Sequence, residues 1–109
     1  MEFRLLTQVR LFIRKVYDIK YPKEEIFNLE SQLKRASVSI ALNIREGNYM
    51  TPKNKRRFFN IAKGSAMECD ECLLLLESLH DINTEELRVQ GLSIIKQLQT
   101  LTSNLQSPQ

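Results

Sequence analysis

The amino-acid sequence predicts an all-α protein, an antiparallel up-down-up-down four-helix bundle forming a single domain over residues 1–109. Three observations carry this. Apolar residues recur at helical spacing in four separate segments. Three glycines and three prolines in 109 residues are too few for the turns of an all-β fold. The segments are joined by short connections, which make sequential helices antiparallel neighbours. With 42% hydrophobic and 27% charged residues, the composition suits a folded chain with one modest core.

The first helix is expected over residues 2–20. Leu5, Val9, Phe12, Val16 and Ile19 step by alternating fours and threes, with Leu6, Ile13 and Tyr17 beside them. Pro22 ends it, because the residue before a proline is pushed out of helical geometry. The connector 22–30 can hold one short helical turn, with Asn28 as its left-handed stop. A second helix runs from Glu30 or Ser31 to Glu46, stopped by Gly47. Its inward stripe is Leu33, Ala36, Ser37, Ile40, Asn43 and Ile44. An amide on that stripe must be hydrogen-bonded, so Asn43 reads as a polar pin between helices.

The longest element is a single rod from Thr51 to Asp81, about 45 Å long. Thr51-Pro52 marks its start. Phe59, Ala62, Ala66, Cys69, Leu73, Leu76 and His80 form one stripe, and Phe58, Ile61, Ser65, Cys72, Leu75 and Leu79 a second. Two stripes need more than one neighbouring helix to cover them. Gly64 costs roughly 1 kcal/mol in a helix interior, which points to a close approach of the second helix. Asn83 or Thr84 caps the last helix, whose seam is Leu87, Gly91, Ile94, Leu98, Leu101 and Leu105. Gln-Ser-Pro-Gln at the end is expected to fray.

Charge is distributed unevenly along the chain. Residues 1–66 carry fourteen Lys/Arg against six Asp/Glu, while residues 67–88 carry one against seven. The bundle topology collects these charges by end. One tip gathers Arg4, Arg45, Lys53, Lys55, Arg56 and Arg57; the other gathers Asp18, Glu24, Glu25, Glu77, Asp81, Glu85 and Glu86. Cations in the first turns of a helix oppose its dipole, so Lys53-Asn54-Lys55-Arg56-Arg57 works against local stability. Such a pattern suits an anion, and nucleic-acid phosphates above all. Lys34, Arg35 and Lys63 would widen the patch. The competing reading is a solvated face that aids solubility or pairs with a neighbouring subunit.

Other chemistry finds little support. Cys69 and Cys72 lie mid-helix on apolar stripes and read as buried structural thiols. His80 is about 16 Å along the axis from Cys69, so no metal site is expected. Glu68 is a candidate inward carboxylate, but no ExxH pair accompanies it. No nucleophile has a histidine at useful spacing and no glycine-rich phosphate loop occurs, so neither an enzyme nor a cofactor is expected. Arg4 and Arg10 interrupt any secretory signal and no apolar run spans a membrane, which suggests the cytoplasm. The first and third helices carry more apolar rows than one core consumes, which marks self-association.

Four stretches carry a resemblance: Tyr21-Pro22-Lys23-Glu24-Glu25, Gln32 to Ile40 (QLKRASVSI), Asn43-Ile44-Arg45-Glu46-Gly47, and Phe59 to Glu68 (FNIAKGSAME). The chain resembles the small four-helix-bundle proteins encoded by intervening sequences in bacterial 23S ribosomal RNA genes, sometimes labelled S23 ribosomal proteins. The resemblance implies a four-helix bundle, a ring-like homo-oligomer (usually a pentamer) and no demonstrated enzymatic activity. It also implies kinship with the accessory variability determinants of diversity-generating retroelements, basic rings associated with nucleic acid and a reverse transcriptase. Arg45 departs from the family's usual alanine, and the family's N-terminal tryptophan motif is missing. The expected function is therefore that of a non-catalytic oligomer binding RNA or DNA phosphates through its basic tip. The alternative is an oligomeric scaffold for a protein partner.

Overall fold

The computed structural model describes residues 2–105, so the terminal Gln-Ser-Pro-Gln lies outside the described residues. The elements are α1 (Glu2–Asp18), a single 3-10 turn (Lys23–Glu25), α2 (Leu29–Gly47), α3 (Pro52–His80) and α4 (Glu85–Asn104). The particle measures 49 × 22 × 20 Å. The helices form a four-cornered ring in chain order: α1 touches α2 and α4, and none of its described Cα atoms comes within 8 Å of α3. Cross-helix bonds run in opposite order along each pair. Gln8 meets Gln97 and Lys15 meets Glu86 between α1 and α4; Lys63 meets Gln99 and Asp70 meets Arg88 between α3 and α4. Ser39 meets Ser65 between α2 and α3, while Gly47 lies against Phe59. Neighbours are thus antiparallel, and α1 and α3 run in the same direction.

The core follows one expected stripe on each helix; of the second α3 stripe only Cys72 is buried, and Ile61 and Leu79 are exposed. Leu5, Val9, Phe12 and Val16 are buried, as are Leu33, Ile40, Ile44, Phe59, Leu73, Leu76, Ile94 and Leu98. The rod is unbroken from Pro52 to His80. Thr102 is buried on the α4 seam, where Leu101 and Leu105 are only partly covered; its hydroxyl is satisfied by donating to the Gln99 carbonyl at 2.9 Å.

Several local expectations are corrected. α1 ends at Asp18 rather than residue 20, and the Tyr21 hydroxyl donates to the Val16 carbonyl at 2.8 Å, folding the connector back on the helix. Asn28 is not left-handed (φ −129°), and neither is any glycine; among the described residues the one with positive φ is Asp81 (φ 56°), which stops α3. Gly47 is therefore a residue of close approach rather than a left-handed stop. A Cβ there would sit 3.0 Å from Cε1 of Phe59 and 3.1 Å from Cβ of Phe58. Gly64 is the opposite case, exposed, with nothing within 4 Å of where its Cβ would be. Asn43 does not cross between helices; its amide donates to the carbonyl and hydroxyl of Ser39 on its own helix, and the crossing bond is Ser39 to Ser65 at 2.9 Å. Glu68 points outward to solvent.

Candidate nucleic-acid interface

The cationic end is built where α2 hands over to α3. Gly47 lets the end of α2 lie against Phe58 and Phe59, which holds the four-residue turn 48–51 close to the bundle. Pro52 then opens α3, and no acidic residue follows in its first turn. Thr51 makes no side-chain cap bond, so the hydroxyl expected to cap the helix does not. The first turns thus hold unsatisfied N–H groups alongside four cationic side chains. Both features favour an anion at this position. Asn48 adds a local cost: its buried Oδ1 has no hydrogen-bond partner.

Helical spacing gives those cations different duties. Lys53, Arg57 and Asn60 share one outward row. With Asn54, Arg56 and Ile61 they line an open cavity of about 530 Å³. Lys53 and Arg57 are exposed at its rim. The Arg57 guanidinium lies 5.8 Å from the Phe58 ring centroid, and that of Arg45 lies 5.7 Å from the ring of Tyr49, itself 75% exposed. Arg56 turns inward instead: its Nε donates to the Thr102 carbonyl at 3.3 Å, supplying a cation to the otherwise uncharged last turn of α4. Lys55 is half-buried. Lys63 donates to Gln99 at 2.6 Å, further along the α3–α4 seam.

Lys34 and Arg35 do not join the patch. Arg35 is exposed but lies about 18 Å along the axis from Gly47. It lines a different cavity with Phe27, Gln32, Ser65 and Glu68. The ammonium of Lys34 pairs with Glu30 at 2.7 Å and sits 4.8 Å from the Tyr17 ring centroid, so it fastens α2 to α1. The structure therefore gathers Arg45, Lys53, Lys55, Arg56 and Arg57 at one end and leaves Lys34, Arg35 and Lys63 outside it. The roles of Asn54 and Asn60 as cavity walls were not foreseen, although the i, i+4, i+7 spacing of Lys53, Arg57 and Asn60 already places three of these residues on one face.

A sequence comparison decides the kinship. The family model described as 23S rRNA-intervening sequence protein matches residues 2–106. The chain belongs to that family. No curated protein matches the chain.

In this member of the 23S rRNA-intervening sequence protein family, the end opposite the cations is organised around two carboxylates. Glu25 is buried although it stands in the connector. Its Oε1 accepts the Leu29 backbone N–H at 3.3 Å and the Asn28 amide at 3.1 Å, and its Oε2 meets His80 Nε2 at 2.7 Å. The His80 bond, with the Leu29 and Asn28 bonds behind it, holds the Glu25 carboxyl below its ordinary value despite partial desolvation. Glu77 accepts both the backbone N–H and the hydroxyl of Thr84, which lower its pKa in the same way. Asn83 Oδ1, rather than Thr84, accepts the Glu85 N–H that begins α4.

The two thiols are free and buried, and burial pushes both Cys69 and Cys72 upward, away from thiolate reactivity. Among the described residues no three His, Cys, Asp or Glu side chains cluster as metal ligands, and no helix is long and apolar enough to cross a membrane.

Proposed function

We propose that this protein is a non-catalytic, oligomeric helical bundle that binds RNA or DNA phosphates through its cationic end. The observation that carries this reading is the open cavity at the start of α3, walled by Lys53, Arg56, Arg57, Asn54 and Asn60. It lies where the helix dipole disfavours cations and favours an anion. Two amides beside three cations suit phosphate oxygens, and Tyr49 beside Arg45 offers an exposed ring on which a base can stack. Cytoplasmic placement fits two unpaired thiols.

The test is fluorescence anisotropy with a labelled single-stranded RNA and its DNA counterpart across roughly 50–200 mM salt. Affinity falling steeply with salt supports the reading. Indifference to both nucleic acids at the lowest salt overturns it. That result would favour the second reading, a scaffold for a protein partner. Its specific support is that Arg56 and Lys63 already hold α4, as structural cations would.

A further inference from the structure

We infer that the groove between α2 and α3 is a base-reading site, which seats one unstacked guanine among Phe27, Arg35 and Glu68. This rests on the proposed binding of RNA or DNA and names a base that the bound strand carries.

Arg35 stands apart from the cationic end, in a cavity of about 390 Å³ that Phe27, Ser39, Ser65 and Glu68 also line. The Phe27 ring is 96% exposed and belongs neither to the core nor to the side chains packed against it. A bare phenyl face on a cavity wall gives an unstacked base a surface to stack on. Ser39 and Ser65 share a single bond between two hydroxyls, and Ser39 also accepts the Asn43 amide. One hydroxyl proton of that pair therefore has no acceptor among the described residues. The cavity thus offers a spare donor as well as an uncovered ring.

The two charges of this cavity stand at one height. The Ser39–Ser65 bond fixes α2 against the antiparallel α3. Arg35 lies four residues before Ser39 and Glu68 three after Ser65, so both stand about 5–6 Å beyond that bond, away from the cationic end. Both are exposed, and among the described residues neither forms an ion pair. They flank the cavity without closing it. A phosphate does not suit this arrangement, because Glu68 repels what Arg35 attracts. A neutral ring with acceptors on one edge and donors on another does. Guanine alone among the four bases carries two adjacent acceptors, O6 and N7, together with two adjacent donors, N1–H and N2–H. The first edge matches an arginine fork and the second a carboxylate.

The cationic cavity leads to this one. Ile61 walls the first and Glu68 the second, and the two share a face of α3 about 10 Å apart along the axis. Gly64 lies between them on that face, exposed, with nothing within 4 Å of where its Cβ would be. A sugar–phosphate backbone can therefore pass close over bare helix from one cavity to the other. Phosphates held by Lys53 and Arg57 position the strand, and the base in the groove is read.

Anisotropy titrations at about 50 mM salt test this, using labelled uridine oligomers that carry one central guanine, adenine or cytosine. The full chain is expected to bind the guanine strand about tenfold tighter than the other two. Glu68→Gln is expected to remove that preference and to weaken the guanine strand alone, with circular dichroism confirming the fold. Loss of a negative charge strengthens phosphate binding in general, so a loss confined to guanine reports the base and not the field. Equal affinity for the three strands overturns the inference and leaves the proposed function standing, as does a guanine preference that survives in Glu68→Gln. Should none of the strands bind, the proposed function falls and guanosine monophosphate decides the site by saturation-transfer NMR. A signal from that nucleotide, absent with adenosine monophosphate and absent in Glu68→Gln, keeps the groove as a guanine site for free nucleotide. No signal overturns it.

Discussion

Glu25 and His80 meet at 2.7 Å although 55 residues separate them, and this contact ties the connector before α2 to the last turn of α3. The same carboxylate takes the Leu29 N–H, so one side chain both starts α2 and closes the end of the bundle. A cap from four residues upstream replaces the one that Asn28 does not provide.

This arrangement sets an acid limit on stability. The pKa of Glu25 is lowered from 4.5 by His80, Leu29 and Asn28, and that of Glu77 by Thr84. A lowered folded value contributes stability that is fully present above 4.5 and disappears as pH falls through the folded value. Thermal melts of the wild type should therefore lose midpoint on acidification below pH 4.5. Glu25→Gln should start lower at pH 7 and lose less on acidification, since its side chain has no proton to take up. Equal acid slopes in the two proteins would remove Glu25 from the account.

The two glycines that bracket the start of α3 should respond in opposite directions. Gly47→Ala forces a methyl to 3.0 Å from a fully buried phenyl ring, an overpacking that costs about 1–3 kcal/mol. Gly64→Ala adds a methyl to open space in a helix interior and should gain about 1 kcal/mol. Urea unfolding reads both. Sequence alone pointed to the wrong member of this pair. What separates the two is whether Phe59 or solvent lies opposite, a property of the facing helix rather than the local pattern. The apolar stripes were legible because each follows from the helix repeat alone. The Glu25–His80 contact was not, because nothing in either neighbourhood signals the other.

At the cationic end, Lys53→Gln/Arg57→Gln removes two exposed charges from the cavity rim. If both meet phosphate, the slope of log affinity against log salt should fall by about 1.4–1.8, at 0.7–0.9 per contact. Anisotropy titrations at several salt concentrations read it, and an unchanged slope would move the binding surface elsewhere.

Lys34 gives the contrasting case. Lys34→Ala breaks the Glu30 pair and withdraws a cation from the rings of Tyr17 and Tyr21. It should cost about 1 kcal/mol in urea unfolding and leave RNA affinity unchanged. A loss of affinity with stability intact would restore Lys34 to the interface.

Ser39 and Ser65 face each other at 2.9 Å, and Ser39 also accepts the Asn43 amide, so three small polar groups set the register between α2 and α3. The site is half-buried, which keeps each hydroxyl within reach of water once its partner is removed. Ser39→Ala and Ser65→Ala should therefore each cost less than a fully buried break, about 0.5–1.5 kcal/mol. The double variant should cost less than the two together, because the second change removes a hydroxyl whose partner has already gone. A double-mutant cycle by urea unfolding should return a coupling of about 0.5–1 kcal/mol. Zero coupling would mean that the register is held by Gly47 against Phe59 alone, with the hydroxyl contact contributing nothing.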